Sequence, residues 1–422
     1  MGPPVGLSAL EGRAEDIFHG DAAKRRREEL NMKPQHLNLG TALAASFLAA
    51  WPAAAESPVK IGMITTLSGP GGYLGQDIQD GFKLALQMQG GKLGGVPVEL
   101  IVEDDGVKPG QGKQIADRLL KNDKVKLFTG IVFSNVAGAT VPDILDAGGI
   151  YVSPNAAPST FAGKGCNENY YVVSWQNDSL HESAGENANR LGYKSAYLVA
   201  PNYQAGKDAL EGFKRLFKGK IVGESYTRLD QTDFAAELAQ IRAADPEVVF
   251  QFEPGGLGIA FLRQYEQAGL KDRIPMVVAA PSLDQATLAA VGEAALGLNV
   301  SSHWNSDFDN SANKAFVAAW QKAYARPVTY YASQGYDTAL AIGAALKGDG
   351  GTVDDPAAFR KAMLKADFAS TRGSFKFGPN QHPVQDWYAL KVEKGADGKL
   401  SLNTKGKILT DYGDSYAKDC KL

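Results

Sequence analysis

Small polar and aromatic residues follow directly after several strand-like segments of this sequence, and they are the side chains best placed for chemistry. Hydroxyl and backbone N–H groups in such loops can hold a carboxylate, and aromatic faces can hold an apolar body. Turn chemistry explains each residue taken alone, but five such loops at the same ends of two sheets favour a ligand-binding cleft. The loop residues concerned are Ser134, Asn135, Asn155, Ala156, Ala157, Tyr203, Glu253, Pro281 and Ser282.

The motifs of nucleotide-binding and hydrolytic enzymes are incomplete in this chain. Gly69 and Gly71 fit a G-x-G-x-x-G dinucleotide motif, but Leu74 stands at the position of the third glycine. The segment 200–208 is similar to a phosphate-binding loop, but it lacks the first glycine and ends in aspartate. The chain contains no G-x-S-x-G nucleophile elbow. We therefore predict a protein that is not an enzyme and needs no cofactor.

The sequence also lacks a spacing typical of a metal site. Its five histidines are scattered, and none has a second ligand close to it along the chain. Glu103, Asp104 and Asp105 end a strand-like segment and could bind a cation, but acids in that position are usually solvated or cap a turn. We predict no bound metal.

Alternating strands and helices from Val59 onward must position the cleft loops. Strand-like runs alternate with helical patterns of about ten to fifteen residues, which indicates βαβ units and mostly parallel sheets. The same rhythm restarts after Asn177, so we predict an α/β fold with two doubly wound parallel-sheet lobes. Strands are predicted at 59–64, 98–103, 124–132, 149–153, 195–200, 220–227, 247–252, 275–279, 374–378 and 387–393. Helices are predicted at 77–89, 112–122, after Asn135, and at 205–217, 234–243, 256–268, 283–291, 312–324, 334–346 and 356–365.

Length and composition agree with one large or two medium globular domains. The chain has 422 residues, of which 22% are charged and 44% hydrophobic, and its formal net charge is −3. No block of basic residues lies in the folded part, so nucleic acid is not an expected partner. No stretch approaches the roughly 18–20 apolar residues that span a bilayer.

The N-terminal region predicts export. Residues 32–55 combine a lysine, a short apolar core and an A-x-A site, which is typical of a signal peptide cleaved near Ala55. We therefore predict a periplasmic protein. Residues 1–31 are then an upstream extension from a misassigned start, with Met32 as the true start, or else an unusually long basic region of the signal.

Cys166 and Cys420 are the two cysteines of the chain. In an oxidising compartment a single pair is typical of a disulfide, which here would tie the C-terminal tail to the body of the protein. Two free thiols are the alternative that the sequence leaves open.

Four segments together resemble a known family. They are KIGMITTLSGPGGYLGQDIQDGFKLAL (60–86), FTGIVFSNV (128–136), IYVSPNAAP (150–158) and YLVAPNYQAGKDALEGF (197–213). From Val59 to about Trp387, the chain is similar to the periplasmic substrate-binding proteins of branched-chain amino-acid-type ABC transporters. The resemblance implies a monomer that captures a small carboxylate by hinge closure and delivers it to permease subunits.

The resemblance also implies how the chain is divided between two lobes. Lobe 1 would comprise 58–176 and 302–365, and lobe 2 would comprise 177–301 and 366–422. The lobes would be joined by a hinge that the chain crosses three times.

The ligand residues of this family match this chain only in part. Ser134 matches the serine that holds the α-carboxylate in leucine-binding members, and Tyr203 matches a tyrosine of the second lobe. Ala157 stands where those members have a threonine. After Pro281, Ser282 replaces the acid that holds the α-ammonium, although Glu253 or Asp284 could substitute for it.

These departures favour a ligand with a carboxylate and an aromatic body but no ammonium, because a buried ammonium needs a counter-charge. The loops SNVAGA and YQAGKD are similar to those of family members that resemble carriers of benzoate or hydroxycinnamate. Ser134, Asn155 and backbone N–H groups would hold the carboxylate. The residues expected to form the aromatic walls are Tyr73, Phe133, Tyr203 and Phe252. Branched-chain or other amino acids, and a sensor that reports ligand to a receptor, are the alternatives.

Overall fold

The computed structural model describes residues 57–422. The predicted upstream extension and the signal peptide with its cleavage site near Ala55 lie outside the described residues. Within the described residues, none of the helices has the length and apolar character needed to cross a membrane.

Fourteen strands and eleven α-helices make up the described part of the chain. The strands are β1 (Val59–Thr65), β2 (Lys92–Leu93), β3 (Val96–Asp104), β4 (Leu127–Thr129), β5 (Ile150–Ser153), β6 (Tyr170–Val172), β7 (Ser195–Pro201), β8 (Lys220–Thr227), β9 (Val248–Gln251), β10 (Met276–Ala279), β11 (Asn299–Ser302), β12 (Lys376–Phe377), β13 (Pro383–Lys394) and β14 (Leu400–Tyr412). The helices are α1 (Gly72–Met88), α2 (Pro109–Lys121), α3 (Ser134–Asp146), α4 (Asn177–Arg190), α5 (Gln204–Leu216), α6 (Ala235–Ala244), α7 (Gly256–Gln267), α8 (Gln285–Val291), α9 (Ser311–Tyr324), α10 (Tyr330–Gly348) and α11 (Pro356–Met363).

The first sheet has six strands in the order β2-β3-β1-β4-β5-β6. All neighbouring strands run parallel except β2 and β3. Strand β1 is buried without interruption from Ile61 to Thr65, which is typical of a parallel strand covered on both faces. Its carboxyl end and those of β4 and β5 lie at one edge of the sheet, where the loops into α1 and α3 begin.

The second sheet has eight strands. Strands β8, β7, β9, β10 and β11 are parallel neighbours in that order, and the antiparallel strands β13 and β14 continue the sheet beyond β11. The loops after β7, β9 and β10 therefore leave the sheet from the same edge, since parallel strands share the direction of their carboxyl ends.

The chain passes between the two sheets three times. It leaves the first sheet after β6, returns to the first lobe after β11 for α9, α10 and α11, and enters the second sheet again at β12. The predicted α/β class with two parallel-sheet lobes is confirmed. The lobe limits that we assigned from the sequence stay predictions.

Two glycines allow α1 and α10 to pack at very short distance. A Cβ atom added to Gly335 would lie 2.0 Å from the backbone oxygen of Ile78, and one added to Gly81 would lie 2.0 Å from that of Ala332. Backbone atoms cannot move aside as a flexible side chain can. Helix α10, which forms after the chain returns from the second lobe, can therefore pack closely on α1 because Gly81 and Gly335 have no side chains.

Replacing Gly335 with alanine should lower the free energy of unfolding by about 1–3 kcal/mol, because the added methyl group overlaps backbone of α1. Chemical denaturation measures this loss. The matched control is Gly138→Ala in α3, where an added Cβ meets no atom within 4 Å, so that variant should be as stable as the parent or slightly more stable. Equal effects of the two substitutions would contradict the packing described here.

Most elements agree with the sequence expectation, and α4 and β14 are the main omissions. We predicted no element at α4, where eleven of fourteen residues are buried although many are polar. A helix without an exposed polar face lacks the periodicity that identifies helices in a sequence. Its start is nevertheless capped, since the side chain of Gln176 accepts a hydrogen bond of 3.0 Å from the backbone N–H of Ser179.

Cys166 and Cys420 form a disulfide across a sequence separation of 254 residues. The bond joins the loop that precedes β6 to the C-terminal segment. Tyr416, four residues before Cys420, donates a hydrogen bond of 2.9 Å from its hydroxyl to Oδ1 of Asp178 in α4. The tail is therefore held at two points against the body of the protein.

Candidate functional site

A cavity of about 390 Å³, part of it open to solvent, lies between the carboxyl edges of the two sheets. Both lobes contribute to its walls. The lining residues are Leu74, Val132, Phe133, Ser134, Asn155, Ala156, Trp175, Asn177, Leu180, His181, Tyr203, Ala205, Phe252, Pro254, Pro281 and Tyr331.

The cavity brings together seven of the twelve residues predicted from the sequence. They are Phe133, Ser134, Asn155, Ala156, Tyr203, Phe252 and Pro281. The other five do not line it, and they are Tyr73, Asn135, Ala157, Glu253 and Ser282. Two of these support the site indirectly. The Ala157 N–H donates to Oδ1 of the lining residue Asn177, at 3.2 Å, and Ser282 donates to the Gln251 oxygen at the end of β9, at 3.1 Å.

Three helices begin at the polar end of the cavity. Ser134 is the first residue of α3, Asn177 is the first residue of α4, and Tyr203 immediately precedes α5. In the described structure no side chain caps the N-terminus of α3 or of α5. Unpaired N–H groups and the positive ends of helix dipoles favour an anion at such a place. This end of the cavity can therefore hold a carboxylate without a cationic side chain beside it.

Asn177 organises the polar end. Its Nδ2 donates to the Ser134 hydroxyl at 3.1 Å and to Oδ2 of Asp208 at 3.0 Å. Asp208 in turn accepts from the hydroxyl of Ser159 at 2.7 Å and from Nε2 of Gln204 at 2.7 Å. This network fixes the amide so that its oxygen and nitrogen keep defined directions.

Aromatic side chains form the apolar walls. Tyr203 and Phe252 lie nearly parallel, with ring centroids 6.4 Å apart and an angle of 12° between planes. The ring centroids of Phe133 and Tyr203 are also 6.4 Å apart. Those of Trp175 and Tyr330, the neighbour of the lining residue Tyr331, are 5.3 Å apart. Flat faces in this arrangement suit a planar ring better than a branched aliphatic chain.

Glu253 and Asp284, the two acids that could pair with a ligand ammonium, make other contacts in the structure. Glu253 accepts a hydrogen bond of 2.8 Å from Thr227, and burial raises its pKa to about 8. Asp284 accepts from the Thr287 N–H at 2.6 Å at the start of α8, and burial raises its pKa to about 6. Neither side chain lines the cavity. Among the described lining residues there is no acid, arginine or lysine.

Tyr73 joins the lobes beside the cavity. Its hydroxyl lies 3.3 Å from Oδ2 of Asp284 and 3.2 Å from the Thr287 hydroxyl, both in the second lobe. Burial and the nearby Asp284 raise the pKa of Tyr73 well above its usual range, so it stays a neutral donor. Its ring meets that of Tyr331 edge to face, with 6.4 Å between centroids. Tyr73, which we expected to contact ligand directly, thus links the closed lobes.

The sequence interpretation missed several lining residues. Four of them lie in α4 or just before it, and they are Trp175, Asn177, Leu180 and His181. A fifth, Tyr331, lies in the first turn of α10. The short segment between β6 and α4 carried one usable signal, because it ends in polar residues directly after a strand, as the predicted cleft loops do. The strand itself, Tyr170–Val172, is three residues long and was not identified.

No group of three or more His, Cys, Asp or Glu side chains in residues 57–422 is arranged to hold a metal ion. Asp104 and Asp105, which ended a predicted strand, are engaged in local turns. Asp104 accepts from the Leu67 N–H at 2.8 Å, and Asp105 accepts from the hydroxyl of Thr66 at 2.6 Å. They hold the loop that leads into α1.

Two lobes, a closed cleft and a site made of helix N-termini and aromatic walls are the geometry of a binding protein. A family model described as periplasmic binding protein matches residues 58–399. The chain belongs to the periplasmic binding protein family. A curated relative, Leu/Ile/Val-binding protein homolog 6 of Brucella melitensis, is 30% identical over 393 residues, which cover 90% of this chain and 98% of the relative.

Solved structures of solute-binding proteins from R. palustris ABC transporters are similar to this periplasmic binding protein. One, in complex with benzoate, is 32% identical with a TM-score of 0.81, and the match covers 86% of this chain and all of that one. Another, in complex with 4-hydroxybenzoate, is 28% identical with a TM-score of 0.79, covering 84% and 98%. A leucine-binding protein from Thermotoga maritima, 19% identical with a TM-score of 0.73, shares the fold.

These similarities confirm the family and the class of function predicted from the sequence. The protein is a solute-binding protein of the kind that serves ABC transporters, and it is not an enzyme. Its family is one of periplasmic proteins, which agrees with the predicted location.

Proposed function

We propose that this periplasmic binding protein captures a small aromatic carboxylic acid, of the benzoate class, between its lobes and delivers it to the permease of an ABC importer. The observation that carries the proposal is the composition of the cavity. Its polar end offers amide, hydroxyl and helix N-terminal groups, its walls are aromatic, and no acid lines it in the described structure.

The missing acid separates aromatic acids from amino acids. An ammonium enclosed in this cavity would lose its hydration without gaining a carboxylate partner, which is strongly unfavourable. A carboxylate would meet the hydroxyl of Ser134, which Asn177 orients, the amide of Asn155 and the uncapped N–H groups of α3 and α5. Uncharged donors can stabilise a buried anion when several converge on it. The ring of the acid would then lie between Phe133, Tyr203, Phe252 and Trp175.

The relatives support both the proposal and its competitor. The solved R. palustris proteins in complex with benzoate and 4-hydroxybenzoate are 32% and 28% identical to this chain. The curated Brucella relative, 30% identical, carries a Leu/Ile/Val-binding name, which favours a branched-chain amino acid instead. The chemistry of the cavity supports the aromatic acid, because no acid lines it in the described structure.

A thermal-shift panel tests the proposal. Benzoate and 4-hydroxybenzoate at 100 times their Kd should add about 2.7 kcal/mol to the free energy of unfolding and raise the Tm by a few degrees. Leucine and 4-methylpentanoate form a matched pair that differs only in the ammonium, and we expect no shift with leucine. A shift with leucine that exceeds that of every ammonium-free acid would overturn the proposal. Uptake of labelled benzoate by spheroplasts that depends on added protein tests delivery to an importer.

A further inference from the structure

His181 is the one lining residue in the described cavity that can become a cation. It lies in the second turn of α4 and is 1% exposed. Its ring stands edge-on against Phe252, with 4.8 Å between centroids, and against Phe250, with 5.7 Å. Its Nδ1 atom is buried and has no hydrogen-bond partner within residues 57–422. Because the His181 ring also lines the cavity, a ligand bound there could supply the missing partner.

Acids and bases both occur on the elements that pack around α4. Those on α4 are Asp178, Glu182, Glu186 and Arg190, and those on α5 and the loop before it are Tyr203, Lys207, Asp208, Glu211, Lys214 and Arg215. Glu253 follows β9, and Tyr416 lies in the C-terminal segment. The strands β13 and β14, which also contact α4, carry Asp386, Tyr388, Lys391, Glu393, Lys394, Lys405, Lys407, Asp411 and Tyr412. The packed strands β10 and β11 carry no ionisable side chain. Arg215 is already bound to Asp178, at 3.1 Å, and to Glu182. Lys207 on α5 is exposed, Lys214 is paired with Glu211 and Glu224, and neither lines the cavity. An anion that enters the cavity therefore meets no lysine or arginine in its described lining.

We propose that His181 is the counter-charge of the bound carboxylate, and that its imidazole takes up one proton from solvent as the ligand enters. The carboxylate stays an anion, and the imidazole becomes an imidazolium that donates a hydrogen bond to it. The inference rests on the proposed function, because it needs a carboxylate ligand.

In the protein without ligand, the His181 ring is held in its neutral form. Burial lowers the pKa of His181 to about 3, so the ring is neutral near pH 7. An anion within about 4 Å favours the charged form of an imidazole and raises its pKa. Between the low pKa of the empty protein and the raised pKa of the complex, binding consumes a proton. Affinity is therefore higher at low pH, and Kd should rise by up to tenfold for each pH unit within that interval.

Isothermal titration of benzoate in two buffers of different ionisation enthalpy counts the protons. The parent protein should take up about one proton per benzoate near neutral pH. His181→Gln, which keeps a hydrogen-bonding side chain but cannot take the charge, should bind more weakly, with no uptake and no pH dependence from pH 6 to 8. His303→Gln is the matched control, since His303 is equally buried but does not line the cavity, and it should keep the uptake.

Nitrogen NMR of histidine-labelled parent protein gives a readout that does not depend on any variant folding. The His181 ring should show the neutral form when empty and the imidazolium form with benzoate bound. Binding of benzoate without proton uptake, or an unchanged uptake by His181→Gln, would overturn this inference and leave the proposed function intact. The second result would assign the proton to an acid such as Asp208 or Glu253. Failure of the parent to bind benzoate at any pH would instead overturn the proposed function.

Discussion

Replacing Asn177 with aspartate should weaken benzoate binding about 100-fold at pH 8, which corresponds to about 2.7 kcal/mol. The substitution keeps the shape of the side chain but removes the Nδ2 donor that lies 3.1 Å from Ser134. It also puts a second carboxylate beside Asp208, which Nδ2 contacts at 3.0 Å, and a like charge near the bound anion. Like charges in a closed cavity repel strongly because little water screens them. Titration calorimetry with benzoate measures the loss.

Benzamide provides the control for this prediction. It has nearly the same shape as benzoate but no charge, so Asn177→Asp should reduce its affinity less than tenfold. Asn122→Asp, at an exposed position after α2, is the matched substitution away from the site and should leave both affinities unchanged. Equal losses for benzoate and benzamide would mean that the variant disturbs packing and that the anion does not lie at the N-terminus of α4.

Replacing Arg372 with methionine should reduce the free energy of unfolding by about 3–5 kcal/mol, because the substitution leaves a buried carboxylate without its partner. The Arg372 side chain is 3% exposed, and its Nε lies 3.2 Å from Oδ2 of Asp337 in α10. Its Nη1 also donates to the Ser174 oxygen at 3.0 Å and to Oε1 of Gln385 at 2.7 Å. These partners lie on the segment before α4, on α10 and on β13, so one side chain ties together the parts that join the lobes.

The double variant Arg372→Met with Asp337→Leu tests the reason for this loss. Removing both charges avoids the unpaired buried ion, so the double variant should recover much of the lost stability. Lys126→Met breaks the exposed pair with Asp354, where the side chains are 56% and 74% exposed, and should cost less than about 1 kcal/mol. A double variant less stable than Arg372→Met alone would contradict the role assigned to the ion pair.

The alternation of strands and helices was predictable because its signals are local. Apolar runs such as Val59–Ile64 and the polar faces of α2 and α5 identify their elements without knowledge of the fold. The predicted strand 124–132 is shorter in the structure, where β4 spans Leu127–Thr129. The remaining apolar residues of that run, up to Phe133, leave the sheet and pack at the cavity, because they belong to the loop that delivers Ser134.

The site was predictable only where a loop follows a recognised strand. Ser134, Asn155 and Tyr203 were found in that way, whereas Asn177 and His181 belong to a helix that has no polar outer face. Glu253 was expected in the cavity but lies outside it. It follows the predicted strand, but its side chain accepts a hydrogen bond from Thr227 at the end of β8. The sequence predicts which edge of the sheet carries the site, whereas the direction of each side chain at that edge depends on the packing of the folded protein.

Direct titration of the protein with benzoate and with leucine at pH 7 tests the central claim most simply. We expect benzoate to saturate one site per chain, and we expect no heat from leucine and no change in the benzoate isotherm when leucine is present. Saturation by leucine, with loss of the benzoate signal in its presence, would show that the cavity holds an ammonium after all.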